Sequence, residues 1–99
     1  MFTSEQLHQM ATIHKKYRED METVGFVPHT WILLEGIHDC ELPVKYSKLT
    51  SISTTIQASV VVDGIEFYEY MKPSDNIDAE VARLNAEEQK KCHNSDTID

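Results

Sequence analysis

Residues 60–70 read VVVDGIEFYEY, and this stretch decides the fold. Two runs of β-favouring residues flank the dipeptide Asp63-Gly64, which is typical of a two-residue type I′ turn. Because such a turn fixes the register of its strands, the sequence predicts a β-hairpin with a defined pairing. The expected opposite pairs are Val62 with Ile65, Val60 with Phe67, Ala58 with Glu69, and Ile56 with Met71.

The return strand of this hairpin has two different faces, because successive side chains along a strand point to opposite sides. Glu66, Tyr68 and Tyr70 fall on one side, and Glu69 falls on the core side near the sheet edge. Glu69 therefore either reaches out to solvent or marks a failure of the register. Tyrosine buries much surface at low entropy cost and is enriched at interfaces, so we expect a working outer face. The expected core face comprises Val60, Val62, Ile65, Phe67 and Met71.

The segments before the hairpin give weaker predictions. Residues 51–62 alternate apolar and polar side chains over twelve positions, which predicts a long strand with an internal bend or bulge. The apolar run at residues 31–34 predicts a buried strand that extends at most to Ile37, with a short helix capped by Thr30 as the alternative. Residues 38–48 are predicted to form a loop around Pro43.

An amphipathic helix is predicted over residues 4–24. Thr3 and Gln6 have the spacing of a capping box, and Gly25 suits the left-handed residue that ends a helix. His14 lies within the apolar stripe, where a hydrogen-bonded core histidine is favoured over a pH switch. The stripe comprises Leu7, Met10, His14, Tyr17, Met21 and Val24.

A second helix is predicted from about residue 75 to about Lys91, after Pro73 ends the hairpin. Ser74, Asp75 or Asn76 caps it, and acidic residues in its first turn favour the positive end of the helix dipole. Its apolar stripe is narrow and consists of Ile77, Val81 and Leu84.

The order of these elements predicts an α+β fold. We expect a small antiparallel sheet of three strands, or four, with the N-terminal and C-terminal helices packed on one face. Residues 1–92 form the single predicted domain, and residues 93–99 form a flexible acidic tail.

The charge balance limits the classes of partner. Seventeen acidic against nine basic residues give a net charge of −8, and ten acids against four bases place −6 in residues 63–99. Such a chain disfavours direct binding of nucleic acid and steers towards basic partners. The lack of a long apolar run predicts no membrane span, and the two cysteines suit the reducing cytoplasm, where two free thiols are favoured over a Cys40–Cys92 disulfide.

The sequence contains no adequate motif for catalysis or for metal binding. His38, Cys40, Cys92 and His93 offer zinc-binding side chains, but their spacing lacks the C-x₂-C or H-x₃-H unit of zinc sites. Cys40 and His38 lack an orienting acid, and the three isolated glycines do not form a phosphate-binding loop. We therefore expect no enzyme activity, no cofactor and no bound metal.

The leading functional hypothesis is a small acidic inhibitor that docks on a basic, nucleic-acid-binding site of a larger protein. In its sharpest form the carboxylates mimic DNA phosphates, by analogy of size, charge and layout with virus-encoded anti-restriction and anti-CRISPR proteins. An ordinary solvated acidic face is weighed equally, and a homo-oligomer, for example a homodimer, associating through the first helix is the alternative function. The candidate partner-binding residues are Asp63, Glu66, Tyr68, Glu69, Tyr70, Asp75, Asp78 and Glu80.

Overall fold

A computed structural model describes the backbone of residues 1–97 and the side chains of residues 1–90. Its four strands form one open sheet in the order β1-β4-β3-β2, accompanied by two helices, so the predicted α+β class is confirmed. In chain order the elements are α1 (Ser4–Glu22), β1 (Trp31–Leu33), β2 (Lys45–Lys48), β3 (Ile56–Val62), β4 (Ile65–Tyr70) and α2 (Ile77–Thr97).

The hairpin of β3 and β4 has the predicted turn and register. Asp63 and Gly64 both adopt positive φ, at 53° and 82°, as a type I′ turn requires. Val62 pairs with Ile65, and the ladder continues in register to Gln57 and Tyr70. Met71 N donates to Ile56 O at 2.8 Å and prolongs the pairing by one step. The four pairs expected from the turn are thus brought together.

Strand β1 corrects two expectations about the sheet. It pairs in parallel with β4, so the sheet is mixed, whereas a purely antiparallel sheet was predicted. It also lies at the sheet edge, where Trp31 is 49% and Leu33 62% exposed, so the prediction of a buried strand is wrong. The run of apolar residues suggested burial of the whole strand, but side chains alternate along a strand. Ile32 therefore points towards the core, while Trp31 and Leu33 point outward.

Strand β2 lies where a loop was predicted. Residues Lys45–Lys48 pair antiparallel with β3, and Tyr46 is buried opposite Ala58. Asn85 of α2 then hydrogen-bonds the backbone of Tyr46 twice: Tyr46 N donates to Asn85 Oδ1, and Asn85 Nδ2 donates to Tyr46 O, both at 2.9 Å. The side-chain amide thereby takes the place of a neighbouring strand and covers this edge of the sheet.

The strand predicted over residues 51–62 begins only at Ile56. Residues 49–55 form turns closed by a hydrogen bond of 3.0 Å from Leu49 N to Thr55 O, and Ile52 is 93% exposed. The Ser/Thr–Ile alternation imitates a strand, but β2 ends opposite Ile56 and offers no partner for earlier residues. The apolar face predicted for this part of the segment is therefore wrong.

Helix α1 confirms the predicted capping box of Thr3 and Gln6. The helix ends at Glu22, two residues before the predicted end. Only its first half packs on the sheet, since Leu7 and Ala11 are buried while Ile13 and Tyr17 are exposed. His14 is half-buried, and its Nε2 lies 2.7 Å from the carbonyl oxygen of His29, so it has the expected hydrogen-bond partner without lying in the core. The chain leaves the helix through Gly25 at a φ of 85°.

Helix α2 begins after Asn76, whose carbonyl accepts the first helical hydrogen bond from Glu80 N at 3.1 Å. The helix continues to Thr97, beyond the predicted end near Lys91. The predicted flexibility of residues 93–99 stays a prediction, because their side chains and the backbone of residues 98–99 lie outside the described residues.

The hydrophobic core lies on one face of the sheet. Phe67 and Leu7 are its largest fully buried side chains, and both helices pack against it. Within the described part of the chain, neither helix combines the length and apolarity needed to cross a bilayer. The other face of the sheet is left towards solvent.

Candidate functional site

The cross-strand register defines what we call the outer face of the sheet, opposite the core. Residues paired directly across strands share a face, so the pairings assign each side chain. Three rows result: Trp31, Glu66 and Val61; Leu33, Tyr68, Ser59 and Lys45; and Tyr70, Gln57 and Ser47.

The outer face exposes large apolar and aromatic side chains. Val61 is 65% and Tyr70 50% exposed, and the two outward residues of β1 are exposed to a similar degree. Tyr68 is partly covered because its ring meets that of Tyr70 edge-on, with centroids 5.6 Å apart. Exposed aromatic and aliphatic groups that are contiguous on a rigid sheet are characteristic of protein-binding surfaces.

A pocket of about 150 Å³ opens on this face. Its lining combines three aromatic rings with one carboxylate and one amide: Trp31, Tyr68, Tyr70, Glu66 and Gln57. His29 stacks on the indole of Trp31, with ring centroids 4.3 Å apart and planes inclined by 17°. This stacking restrains the indole beside the carboxylate of Glu66, its partner across the strands.

Glu66 differs from most of the predicted partner-binding acids in its surroundings. Within residues 1–90, no hydrogen bond or ion pair reaches its carboxylate. Among the residues of the four strands it is also the one carboxylate on the outer face. Its charge is therefore open to a ligand that comes from outside the described chain.

The acids at the hairpin turn and at the start of α2 are engaged within the molecule. The hydrogen bond from His8, at 2.7 Å between Nδ1 and Oδ2, lowers the pKa of the Asp63 carboxyl. Asp78 pairs with Lys48 at 3.0 Å. Arg83 hydrogen-bonds Glu80 and thereby lowers the pKa of that carboxyl.

These acids also lie in different places. Asp63 occupies the turn at one end of the hairpin, whereas Asp75, Asp78 and Glu80 follow the other end of β4. Six residues of strand separate the two groups by about 20 Å. The cluster seen in the sequence is therefore dispersed, and only Glu66 joins Tyr68 and Tyr70.

Glu69 keeps the predicted register and stays on the core side. It is 8% exposed, and its carboxylate accepts hydrogen bonds from Gly36 N at 3.1 Å and from His38 N at 2.7 Å. Burial, the largest single influence, acts to raise the pKa of Glu69, but the hydrogen bonds from His38 and Gly36 outweigh it and hold the pKa below its ordinary value. Glu69 is thus a structural group and takes no part in the outer face.

Trp31 and Gln57 are the residues of this pocket that the sequence alone did not reveal. Gln57 sits in the alternating pattern of β3, so its outward position was available from the hairpin register. Trp31 had no such signal, because its pairing with Glu66 joins positions 35 residues apart (66 − 31) in parallel. The remaining hint was that Trp31 is the single tryptophan of the chain.

The described part of the chain contains no site suited to metal or thiol chemistry. No cluster of three or more histidine, cysteine or carboxylate side chains suited to a metal occurs within the described part of the chain. Cys40 is buried, and its Sγ donates to Leu42 O at 3.2 Å. The side chains of Cys92 and His93 lie outside the described residues, so the zinc set proposed and disfavoured above, like the disulfide alternative, stays untested.

Comparison of the chain with protein-family models, curated proteins and solved structures gives no match in any of the three.

Proposed function

We propose that the protein is a non-enzymatic interaction module that binds a larger, basic protein through the outer face of its sheet. The observation that carries this proposal is that the side chains of Trp31, Leu33 and Tyr70 are all exposed on the same uncovered face of a rigid sheet. Aromatic anchors of this kind dominate binding energy at protein interfaces when a partner excludes water from them.

The basic character of the partner follows from charge. A protein of net charge −8 associates faster with a basic surface, and the effect weakens as salt screens it. A nucleic-acid-binding protein offers such a surface, and occupation of it would make the module an inhibitor. The dispersal of the acids favours docking through aromatic anchors over imitation of a regular row of DNA phosphates.

A second candidate function is self-association through α1. Ile13 and Tyr17 are exposed on this helix, and Val24, Phe26 and Val27 are exposed in the segment that follows it. These side chains form the apolar surface that a second copy would cover. Light scattering separates the candidates, since a protein that stays monomeric at high concentration excludes the oligomer.

The proposal is tested by affinity capture with matched variants. Three proteins are immobilised after circular dichroism has verified their folding. They are the wild type, an outer-face variant that combines Leu33→Ala with Tyr70→Ala, and an α1 variant that combines Ile13→Ala with Tyr17→Ala. We expect wild type and the α1 variant to retain the same basic protein, and the outer-face variant to lose it. Retention by the outer-face variant would overturn the proposal, and loss only with the α1 variant would favour self-association.

A further inference from the structure

We propose that the pocket of Trp31, Gln57, Glu66, Tyr68 and Tyr70 binds the guanidinium group of an arginine side chain supplied by the partner. This inference rests on the proposed function, and it names the group that the outer face recognises. The pocket is on the sheet, where the backbone pairing of β1, β4 and β3 fixes the relative positions of its walls.

Charge selects a cation as the occupant. The carboxylate of Glu66 has no partner among residues 1–90 and forms one wall of the pocket. The basic residue on the same face is Lys45 on β2, two strands away from β4 and so about 10 Å distant across the sheet. Within residues 1–90 Lys45 forms no ion pair with Glu66, so an external cation finds the carboxylate available.

Shape selects guanidinium among cations. Arginine presents a flat group that stacks on aromatic faces and donates two parallel hydrogen bonds to a carboxylate. Trp31, restrained by the His29 ring at 4.3 Å, and the edge-on pair of Tyr68 and Tyr70 supply such faces around Glu66. The Gln57 side chain offers a further carbonyl oxygen to a guanidinium N–H.

Other ligand classes fit this lining less well. A divalent metal such as Ca²⁺ requires six or more oxygen ligands, and the pocket holds one carboxylate and one amide. An anion is repelled by Glu66. An ammonium group can stack on one ring, but as a compact point charge it lacks the bidentate geometry of guanidinium.

The test titrates the protein with three capped amino acids: N-acetyl-arginine methylamide, its lysine counterpart and its citrulline counterpart. Citrulline keeps the shape of arginine without the charge. The readout is the indole N–H resonance of Trp31, which is unambiguous because the chain has one tryptophan. We expect a saturable shift with arginine, binding several-fold weaker with lysine, and binding at least about tenfold weaker with citrulline.

Variants assign the effect to the pocket. Glu66→Gln keeps the side-chain shape and should weaken arginine binding at least about fivefold, whereas Glu19→Gln, at an exposed acid of α1, should leave arginine binding unchanged. Equal binding of citrulline and arginine, unchanged binding by Glu66→Gln, or no shift up to the solubility limit of the arginine probe would each overturn the inference.

The two proposals fail in different ways. If affinity capture depends on the outer face but the arginine probe leaves Trp31 unmoved, the arginine pocket is wrong and the interaction module stands. If the probe binds but capture ignores the outer-face variant, the pocket stands and the proposed function is wrong.

Discussion

The carboxylate of Glu69 fastens the loop at His38 to the core side of the sheet. One oxygen of Glu69 lies 2.7 Å from His38 N and 2.6 Å from His38 Nδ1, and the other lies 3.1 Å from Gly36 N. A single side chain of β4 therefore satisfies two backbone N–H groups of the segment that follows β1. This contact stabilises the parallel pairing of β1 and β4 from below the sheet.

Removal of this carboxylate should destabilise the fold. Glu69→Ala leaves the N–H groups of Gly36 and His38 without their acceptor, so we expect the free energy of unfolding to fall by about 2–3 kcal/mol. Urea denaturation followed by circular dichroism measures the loss. Glu66→Gln on the outer face of the same strand is the control, and it should change stability by less than about 0.5 kcal/mol.

The stabilisation by Glu69 should also depend on pH. The pKa of its carboxyl is held below the ordinary value of 4.5, so the unfolded chain takes up this proton before the folded protein does. The contribution is then fully present above pH 4.5 and is lost as pH falls through the folded pKa. Urea midpoints of wild type and Glu69→Gln should differ above about pH 5 and converge at lower pH.

Comparison with Glu69→Gln is needed because other groups titrate nearby. His38 contacts the Glu69 carboxylate directly, and the paired carboxyls of Asp63 and Glu80 also have lowered pKa values, so acid weakens the wild type at more than one carboxyl. A difference between wild type and variant that stays constant down to strongly acidic pH would contradict the assignment to Glu69.

Loss of the Asn85 amide should expose the backbone edge of β2 and destabilise the fold. Asn85→Ala removes two hydrogen bonds of 2.9 Å to the backbone of Tyr46, and we expect the free energy of unfolding to fall by about 1–3 kcal/mol. Asn85→Asp keeps an acceptor for Tyr46 N but turns an oxygen towards Tyr46 O, so it should be at least as harmful. Gln89→Ala, a substitution at an exposed position one helical turn later, is the control, and chemical denaturation measures the stability of both variants. An equal loss of unfolding free energy in Gln89→Ala would contradict a specific role for the Asn85 amide at the edge of β2.

A side chain at the second position of the hairpin turn should destabilise the protein. Gly64 has a φ of 82° and open space around its Cα, so Gly64→Ala suffers backbone strain without a steric clash. We expect a loss of about 1 kcal/mol in unfolding free energy. Asp63→Asn keeps the turn, because asparagine also tolerates positive φ, and hydrogen exchange of the Val62 and Ile65 amides should stay slow in that variant. Fast exchange in Asp63→Asn would contradict a type I′ turn held by backbone geometry.

The phenol of Tyr46 should ionise only at strongly alkaline pH. Burial, assisted by the negative charge of Glu88, raises the pKa of its phenol to about 12. Because the unfolded chain ionises first, stability should decline as pH rises above about 10. An alkaline titration by ultraviolet absorbance should show a late step near pH 12 that disappears in Tyr46→Phe, and a titration curve that Tyr46→Phe leaves unchanged in this range would contradict the burial of this phenol.

Local chemistry made part of this molecule predictable. The Asp63-Gly64 turn fixes its own register, and from that register the outward positions of Glu66, Tyr68 and Tyr70 follow by alternation alone. The cap of Thr3 with Gln6 is equally local, since both residues lie within one helical turn.

The rest depends on pairings that no local pattern encodes. Strand β2 carries one buried apolar residue, Tyr46, so its sequence looks like a loop until β3 and Asn85 are placed beside it. The pocket required Trp31 to join Glu66 in parallel across 35 residues (66 − 31), and a short apolar run gives no indication of such a partner. The dispersal of the acids had the same origin, because proximity in sequence does not fix which side of a sheet a loop will occupy.

The parallel attachment of β1 sets an order on folding. The β3–β4 hairpin closes over two residues, whereas β1 must close a long loop before it pairs with β4, and that closure carries a larger entropic cost. Trp31 therefore reaches Glu66 after the hairpin has formed. A partly folded chain with the hairpin but without docked β1 would display Glu66, Tyr68 and Tyr70 without the indole, so the proposed arginine pocket should be complete only once β1 has joined the sheet.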